Sequence, residues 1–313
     1  MTRYSRWQEN EVNNMDSIIE NILNYESFIE PYIDPLTNEI LNFSLNKVFE
    51  DDQIINLNNN EFRFNVIEYD YEKPRNYDKY NHMRSLRILN DTGYIIIFTD
   101  GSSTQFIIDK SAHSTTLTFL RKINNYTGVK EIEEKPIKVS EDFFVWIISK
   151  VLEGVNDTDS FTEDSEIVVD RIVGFKGSTE DKLAEVRGWG NRIMNVLSTL
   201  AFLFEIEKVT HINPRIQYKT EDKSHTIEAG LQLKGNVKVN FEKYVGDYMQ
   251  LIDIEKESKV ILLLYLEVLP KLLTSYENDI ENGYWSKDKK IDFFNEIGND
   301  IQKKIKEKIN RIK

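Results

Sequence analysis

Hydropathy along this chain switches between a period of two and a period near 3.6, and that switching limits its fold more than any single motif does. From Glu39 to Phe49 and from Glu61 to Tyr69, apolar and polar residues alternate as they do in half-buried strands. Ser85–Leu89, Tyr94–Thr99 and Thr104–Asp109 continue the pattern. They are separated by Asn90-Asp91-Thr92-Gly93 and Asp100-Gly101-Ser102-Ser103, residue types that suit tight turns. Short antiparallel strands are expected there. A second strand block is read at His211–Tyr218, His225–Leu233 and Val237–Phe241, with Lys234-Gly235-Asn236 as a hairpin turn.

Helical spacing frames these blocks. Val12, Met15, Ile18, Ile19, Ile22, Leu23 and Phe28 predict a helix between Glu9 and Ile29, ended by Pro31 and Pro35. Further helices are expected at Ser114–Ile123 and at Ser140–Val151, with Ser140 as N-cap. Val260–Leu273 is apolar nearly all round, which predicts a buried helix kinked or split at Pro270. A final helix carries Ile291, Phe294, Ile297, Ile301, Ile305, Ile309 and Ile312 on one stripe. The polar stretch from Asn124 to Ser140, with Pro136, reads as a linker between a β-rich domain at 1–135 and a second domain at 136–313. The expected class is α+β. An N-terminal antiparallel sheet with flanking helices precedes a C-terminal half of small sheet, central helix and C-terminal helical layer.

Composition narrows the chemistry. The 313 residues include no cysteine, which excludes thiol catalysis, disulfides and cysteine-held metals. A chain of this length buries roughly 75% of its unfolded surface and needs no such staple. No run approaches the 18 apolar residues of a membrane span, and MTRYSRWQENE lacks a signal-peptide core, so the expected location is cytoplasmic, without membrane contact. Formal charge is −13, from 53 acidic and 40 basic residues, which opposes non-specific attraction to phosphate backbones. Ile, Asn, Lys, Tyr and Phe are abundant while alanine occurs four times, the bias of an AT-rich genome such as that of a low-GC bacterium or its phage.

Two stretches invite a binding role. At Val173-Gly174-Phe175-Lys176-Gly177-Ser178 a strand is expected to pass through a glycine turn into a helix, so that backbone amides, Lys176 and Ser178 would meet an anion. The spacing matches neither a P-loop nor a dinucleotide fingerprint, and a tight turn with a capping box from Ser178 to Asp181 is the plainer account. Within the same predicted helix, Arg187-Gly188-Trp189-Gly190-Asn191-Arg192 sets an indole between two guanidiniums. That arrangement suits base stacking with phosphate contacts, or equally a kink with Trp189 buried. The basic end, from Lys303 to Lys313, fits contact with nucleic acid or an acidic partner, or else a solvated helix face.

Catalytic signatures are scarce. The four histidines show no i, i+4 pair, and no nucleophile elbow is present, so no metal site is expected. One enzymatic alternative is a metal-dependent nuclease of restriction-type fold. Asp170 would be the acid and Gln217-Tyr218-Lys219 a Q-x-K at a strand end, echoed by Gln232-Leu233-Lys234, with Mg2+ as the cofactor of that reading alone. Otherwise no cofactor is expected. The leading expectation is a non-catalytic interaction subunit of a multi-protein intracellular assembly, with protein partners and nucleic-acid contact. Its expected setting is bacterial antiphage defence or phage counter-defence.

Overall fold

The computed structural model describes residues 2–11, 14–128, 130–156, 166–179, 185–189 and 206–312, with the backbone path alone at 153–156, 178–179, 185–189 and 206–207. The protein is α+β, its strands pair antiparallel, and its long helices gather toward the C-terminus. Two compact units comprise Thr2–Pro136 and Ile137–Lys313.

The N-terminal unit is built on β1 (Arg3–Glu9), β2 (Phe43–Lys47), β3 (Gln53–Leu57), β4 (Asn60–Pro74), β5 (Ile88–Thr99), β6 (Thr104–Ile108) and β7 (Ile132–Glu134). The strand order is β2-β4-β5-β6-β1, with β3 also on β4 and β7 on β1. Helices α1 (Met15–Leu23) and α3 (Ser114–Ile123) cover one face, and α2 (Arg84–Arg87) is a single turn before β5. Asn14 caps α1 by accepting from the Ser17 N–H at 2.9 Å. Met15, Ile18, Ile19 and Ile22 then fall on one stripe and bury against Phe43, Ile67, Ile95 and Phe119. Burial of each large side chain contributes about 1.5–3 kcal/mol.

Three sequence expectations are corrected in this unit. β1 occupies the start of the chain, and the helix expected from Glu9 begins at Met15. Glu9 is a buried strand residue whose carboxylate accepts from the Tyr126 hydroxyl at 2.8 Å. Ser85–Leu89 is largely helix, and β5 starts at Ile88. Asn90-Asp91-Thr92-Gly93 is not a turn but the middle of a β4–β5 ribbon paired without a break from Arg63/Thr99 to Pro74/Ile88. Asp91 sits there because it accepts from the Tyr71 hydroxyl at 2.8 Å and pairs with Lys110. Gly93 sits there because a Cβ would collide with the Tyr69 hydroxyl and the Asp109 carboxylate. The other expected turn forms: Gly101 has φ +88°, and Asp100 accepts from the Ser102 N–H at 2.9 Å.

The C-terminal unit holds a sheet of order β12-β11-β10-β8-β9, with β13 also on β11. Its strands are β8 (Ile167–Thr179), β9 (Glu185–Trp189), β10 (Ile206–Lys219), β11 (Ser224–Gln232), β12 (Val237–Val239) and β13 (Val245–Gly246). The β11–β12 turn uses Gly235 at φ +80°. Helix α4 (Glu141–Asn156) lies against β8 and β10, capped by Ser140, which accepts from the Phe143 N–H at 3.0 Å. The helical layer comprises α5 (Asp253–Leu263), a π-helical segment (Leu264–Val268), α6 (Leu269–Glu281) and α7 (Lys287–Asn310).

Pro270 splits the regular bonding as expected. It has no N–H for the Leu266 carbonyl, and the turn before it widens to π. Glu267 in that segment is buried and accepts from the Tyr218 hydroxyl at 2.7 Å and from Lys223 at 3.0 Å, tying the layer to the sheet. Asp142 of α4 accepts from Tyr276 at 2.9 Å, Trp285 at 2.7 Å and Lys290 at 2.7 Å, drawing α4, α6 and α7 together. Among the described residues no helix is long and apolar enough to cross a membrane.

The largest correction concerns residues 167–204. No glycine turn follows Phe175: β8 runs on through Gly174, Lys176 and Gly177 to Thr179, paired with β10 on one side and β9 on the other. Neither Gly174 nor Gly177 has positive φ, so neither bends the chain. Arg187, Gly188 and Trp189 belong to β9 rather than to a helix, and the rest of the expected helix lies outside the described residues.

Candidate functional site

Two of the three nuclease candidates meet, with arginines beside them. Asp170 on β8 and Gln217 on β10 touch, with Gln217 Nε2 donating to Asp170 Oδ2 at 3.0 Å. The same oxygen lies 3.5 Å from Arg171 and 3.8 Å from Arg215. Lys219 is at the hairpin end opposite Ser224, and Lys234 is in the β11–β12 turn. Mg2+ wants several oxygen ligands in near-octahedral array. Here Asp170 Oδ2 faces an amide and two guanidiniums while Oδ1 is buried without a hydrogen-bond partner, and Arg215 stands opposite the next acid, Glu228. Among the described residues no three His, Asp or Glu side chains gather as a metal site. This donor set does not fit Mg2+.

The anion-binding candidates divide differently. Lys176 is directly opposite Arg187 on β9 and His211 on β10, while Gly174 is opposite Trp189 and Asn213. Lys176, Arg187 and Trp189 thus occupy adjoining register positions on two strands. Ser178 pairs with Glu185 at the end of β8, in a strand where a helix start was expected, and residues 180–184 lie outside the described residues. Arg192 lies outside the described residues. Along the neighbouring strands, Asn213 and Gln232 are buried with their amide nitrogens lacking a hydrogen-bond partner.

A third cluster went unnoticed in the sequence. His225 is buried among Tyr218, Tyr244 and Tyr248, with ring centroids 4.8–6.3 Å away. The Tyr244 oxygen accepts from the Tyr248 N–H at 3.2 Å and shares a hydrogen bond of 2.8 Å with His225 Nδ1. His225 Nε2 lies 3.5 Å from Asp247 and is buried without a hydrogen-bond partner. Burial holds the imidazole pKa below its ordinary value. Tyr244 is buried, so the chain Asp247–His225–Tyr244 pins β11 to β13 and offers no open nucleophile.

The strongest surface feature is at the tip of the β4–β5 ribbon. Two loops, 30–41 and 75–87, meet there through an ion pair that is itself buried: Arg87 Nε lies 3.0 Å from both Asp34 oxygens and its NH2 is 2.8 Å from Oδ2. Arg87 NH1 also donates to the Asn81 and His82 carbonyls at 3.3 and 3.0 Å. The guanidinium hydrogen bonds hold the Asp34 carboxyl well below the usual carboxylate range. The first loop closes on itself through Asp34 N–H to Glu39 O and Leu41 N–H to Tyr32 O, both 2.8 Å. Arg84 grips Glu72 with two bonds of 2.7 and 2.9 Å, fixing the second loop to β4.

These rigidly held loops turn apolar groups outward. Tyr77 is 99% exposed, Ile40 76% and Met83 62%, and Ile33, Tyr80 and Leu86 are exposed as well. Sequence reasoning passed over them because loops are scanned for Gly, Pro and polar residues. The available signal was a loop carrying two tyrosines, a methionine and a leucine within ten residues. No protein-family model matches the chain, and no curated protein matches it at a significant level.

Proposed function

We propose that the protein is an interaction subunit of a multi-protein intracellular assembly, binding a protein partner through the paired loops 30–41 and 75–87. One observation carries the reading: large apolar and aromatic side chains are exposed on loops that a buried ion pair has already ordered. Surface patches of this kind mark association sites, and Tyr and Met are enriched in interface cores. Ordering before contact reduces the entropy that binding must offset. The scaffold supports the same role, since a fixed ribbon presents loops as binding domains do. From the AT-rich residue bias and the lack of housekeeping motifs, the setting we propose is bacterial antiphage defence or phage counter-defence.

The test compares tagged wild-type protein with Tyr77→Ser/Met83→Ser after expression in the source cells. Both side chains are exposed, so folding is unaffected. Wild type is expected to bring down a stoichiometric protein that the variant loses at least tenfold. A wild-type protein that purifies alone, or a partner indifferent to the substitutions, contradicts the reading. Contact with nucleic acid is a second reading, supported by the register of Arg187, Lys176 and His211 across three strands.

A further inference from the structure

Two lysines of the N-terminal unit share one aromatic platform and have no acid between them. Lys122, in the last turn of α3, holds its Nζ 4.7 Å from the ring centroid of Tyr32 and 5.2 Å from that of Phe43 on β2. Lys73 on β4 holds its Nζ 5.6 Å from the Tyr71 ring centroid, and the Phe43 and Tyr71 rings are themselves 5.6 Å apart. Both lysines are half-buried. Among the described residues neither is paired with a carboxylate or donates a side-chain hydrogen bond. The acids beside these rings are engaged elsewhere: Glu72 with Arg84, Asp91 with Lys110 and Tyr71, Asp109 with Tyr69. Burial, and then the charge of Lys73, hold the Lys122 pKa below its ordinary value.

Two ammoniums held side by side repel, and a chain of formal charge −13 has carboxylates to spare, yet none is placed here. The ring faces attract each cation but leave its N–H donors without an anionic acceptor. Tyr32 is 41% exposed, so the platform opens to solvent on that side. We propose that the platform binds a phosphate monoester group, its dianion seated between the Lys73 and Lys122 ammoniums. Such a group carries about −1.5 to −2 charge at neutral pH and three strong acceptor oxygens, which suits two ammoniums where a single carboxylate suits one. It can belong to a free phosphate ester or to a phosphorylated side chain of a protein partner.

Titration of the isotope-labelled chain, followed by backbone amide shifts at constant ionic strength, tests this. It needs no partner protein, so its failure leaves the loop proposal standing. Glycerol phosphate and phenyl phosphate are compared with acetate. The esters are expected to give saturable shifts at Tyr32, Lys73 and Lys122 with a dissociation constant of about 1 mM or lower, and acetate to bind at least tenfold more weakly. Tighter binding of phenyl phosphate assigns the site to a phosphorylated aromatic side chain, and equal or reversed affinities assign it to free phosphate esters. Lys122→Gln and Lys73→Gln are each expected to weaken binding at least tenfold with the melting temperature unchanged or raised, while Lys122→Arg retains it. Shifts that never saturate, acetate binding as tightly as the esters, or glutamine variants that bind like wild type overturn the proposal.

Discussion

Arg87 and Asp34 show what one residue pair does for the whole N-terminal unit. A buried carboxylate stripped of its guanidinium is costlier than no charge at all, while an apolar pair of similar volume is well tolerated. Arg87→Met is therefore expected to lower the melting temperature by several degrees, and Asp34→Leu/Arg87→Met to recover most of that loss. The pH dependence follows the same logic. Because the folded pKa of Asp34 lies below its unfolded value, the pair's contribution is present above about pH 4 and fades as pH falls toward the folded value. Thermal melts from pH 7 to pH 2.5 check both points. Equal melting of single and double variants, or a wild-type acid transition retained in the double variant, would refute the assignment. Gly93 teaches a related lesson: its role is close approach to Tyr69 and Asp109, which no local rule about turns reveals.

At the scale of elements, the sequence was legible wherever local pattern and tertiary demand agreed. α3, the Ser140-capped α4, the buried segment split at Pro270, and the β10–β11–β12 hairpins were each written in periodicity and turn residues. It was illegible where long-range partners overrode local habit. Asp91 and Gly93 resemble turn residues but answer to Tyr71, Lys110 and Asp109 across the sheet. β1 carries Arg3, Arg6 and Glu9, and only its pairing with β6 and β7 makes it a strand. Gly174 and Gly177 suggested a bend, whereas β8 is straightened by partners on both edges. Of the candidate residues, Asp170 and Gln217 lie in contact, with Arg171 and Arg215 beside the carboxylate. The strand register also sets the test of nucleic-acid contact. If Lys176 and Arg187 touch phosphates, Lys176→Ala/Arg187→Ala should reduce the salt slope of a gel shift by about 2. Binding that is absent, or unchanged in the variant, removes that reading.

As a whole molecule, the protein devotes its buried polar groups to holding shape. Asp142, Glu267 and Asp34 each join elements distant in sequence, and each carboxylate is matched inside the fold. What the fold turns outward is apolar: the ribbon-tip loops on one unit, and Ile305 and Ile309 of α7 on the other. On the proposed function, the ribbon tip is a preformed protein-binding surface. Hydrogen exchange on the purified chain, alone and with its co-purified partner, tests this most directly. Amides of 30–41 and 75–87 that lie in the loop hydrogen bonds should exchange slowly in the free protein, and the two loops should gain protection together when the partner is added. Fast exchange of both loops in the free chain, or protection that appears elsewhere and leaves them unchanged, would contradict it.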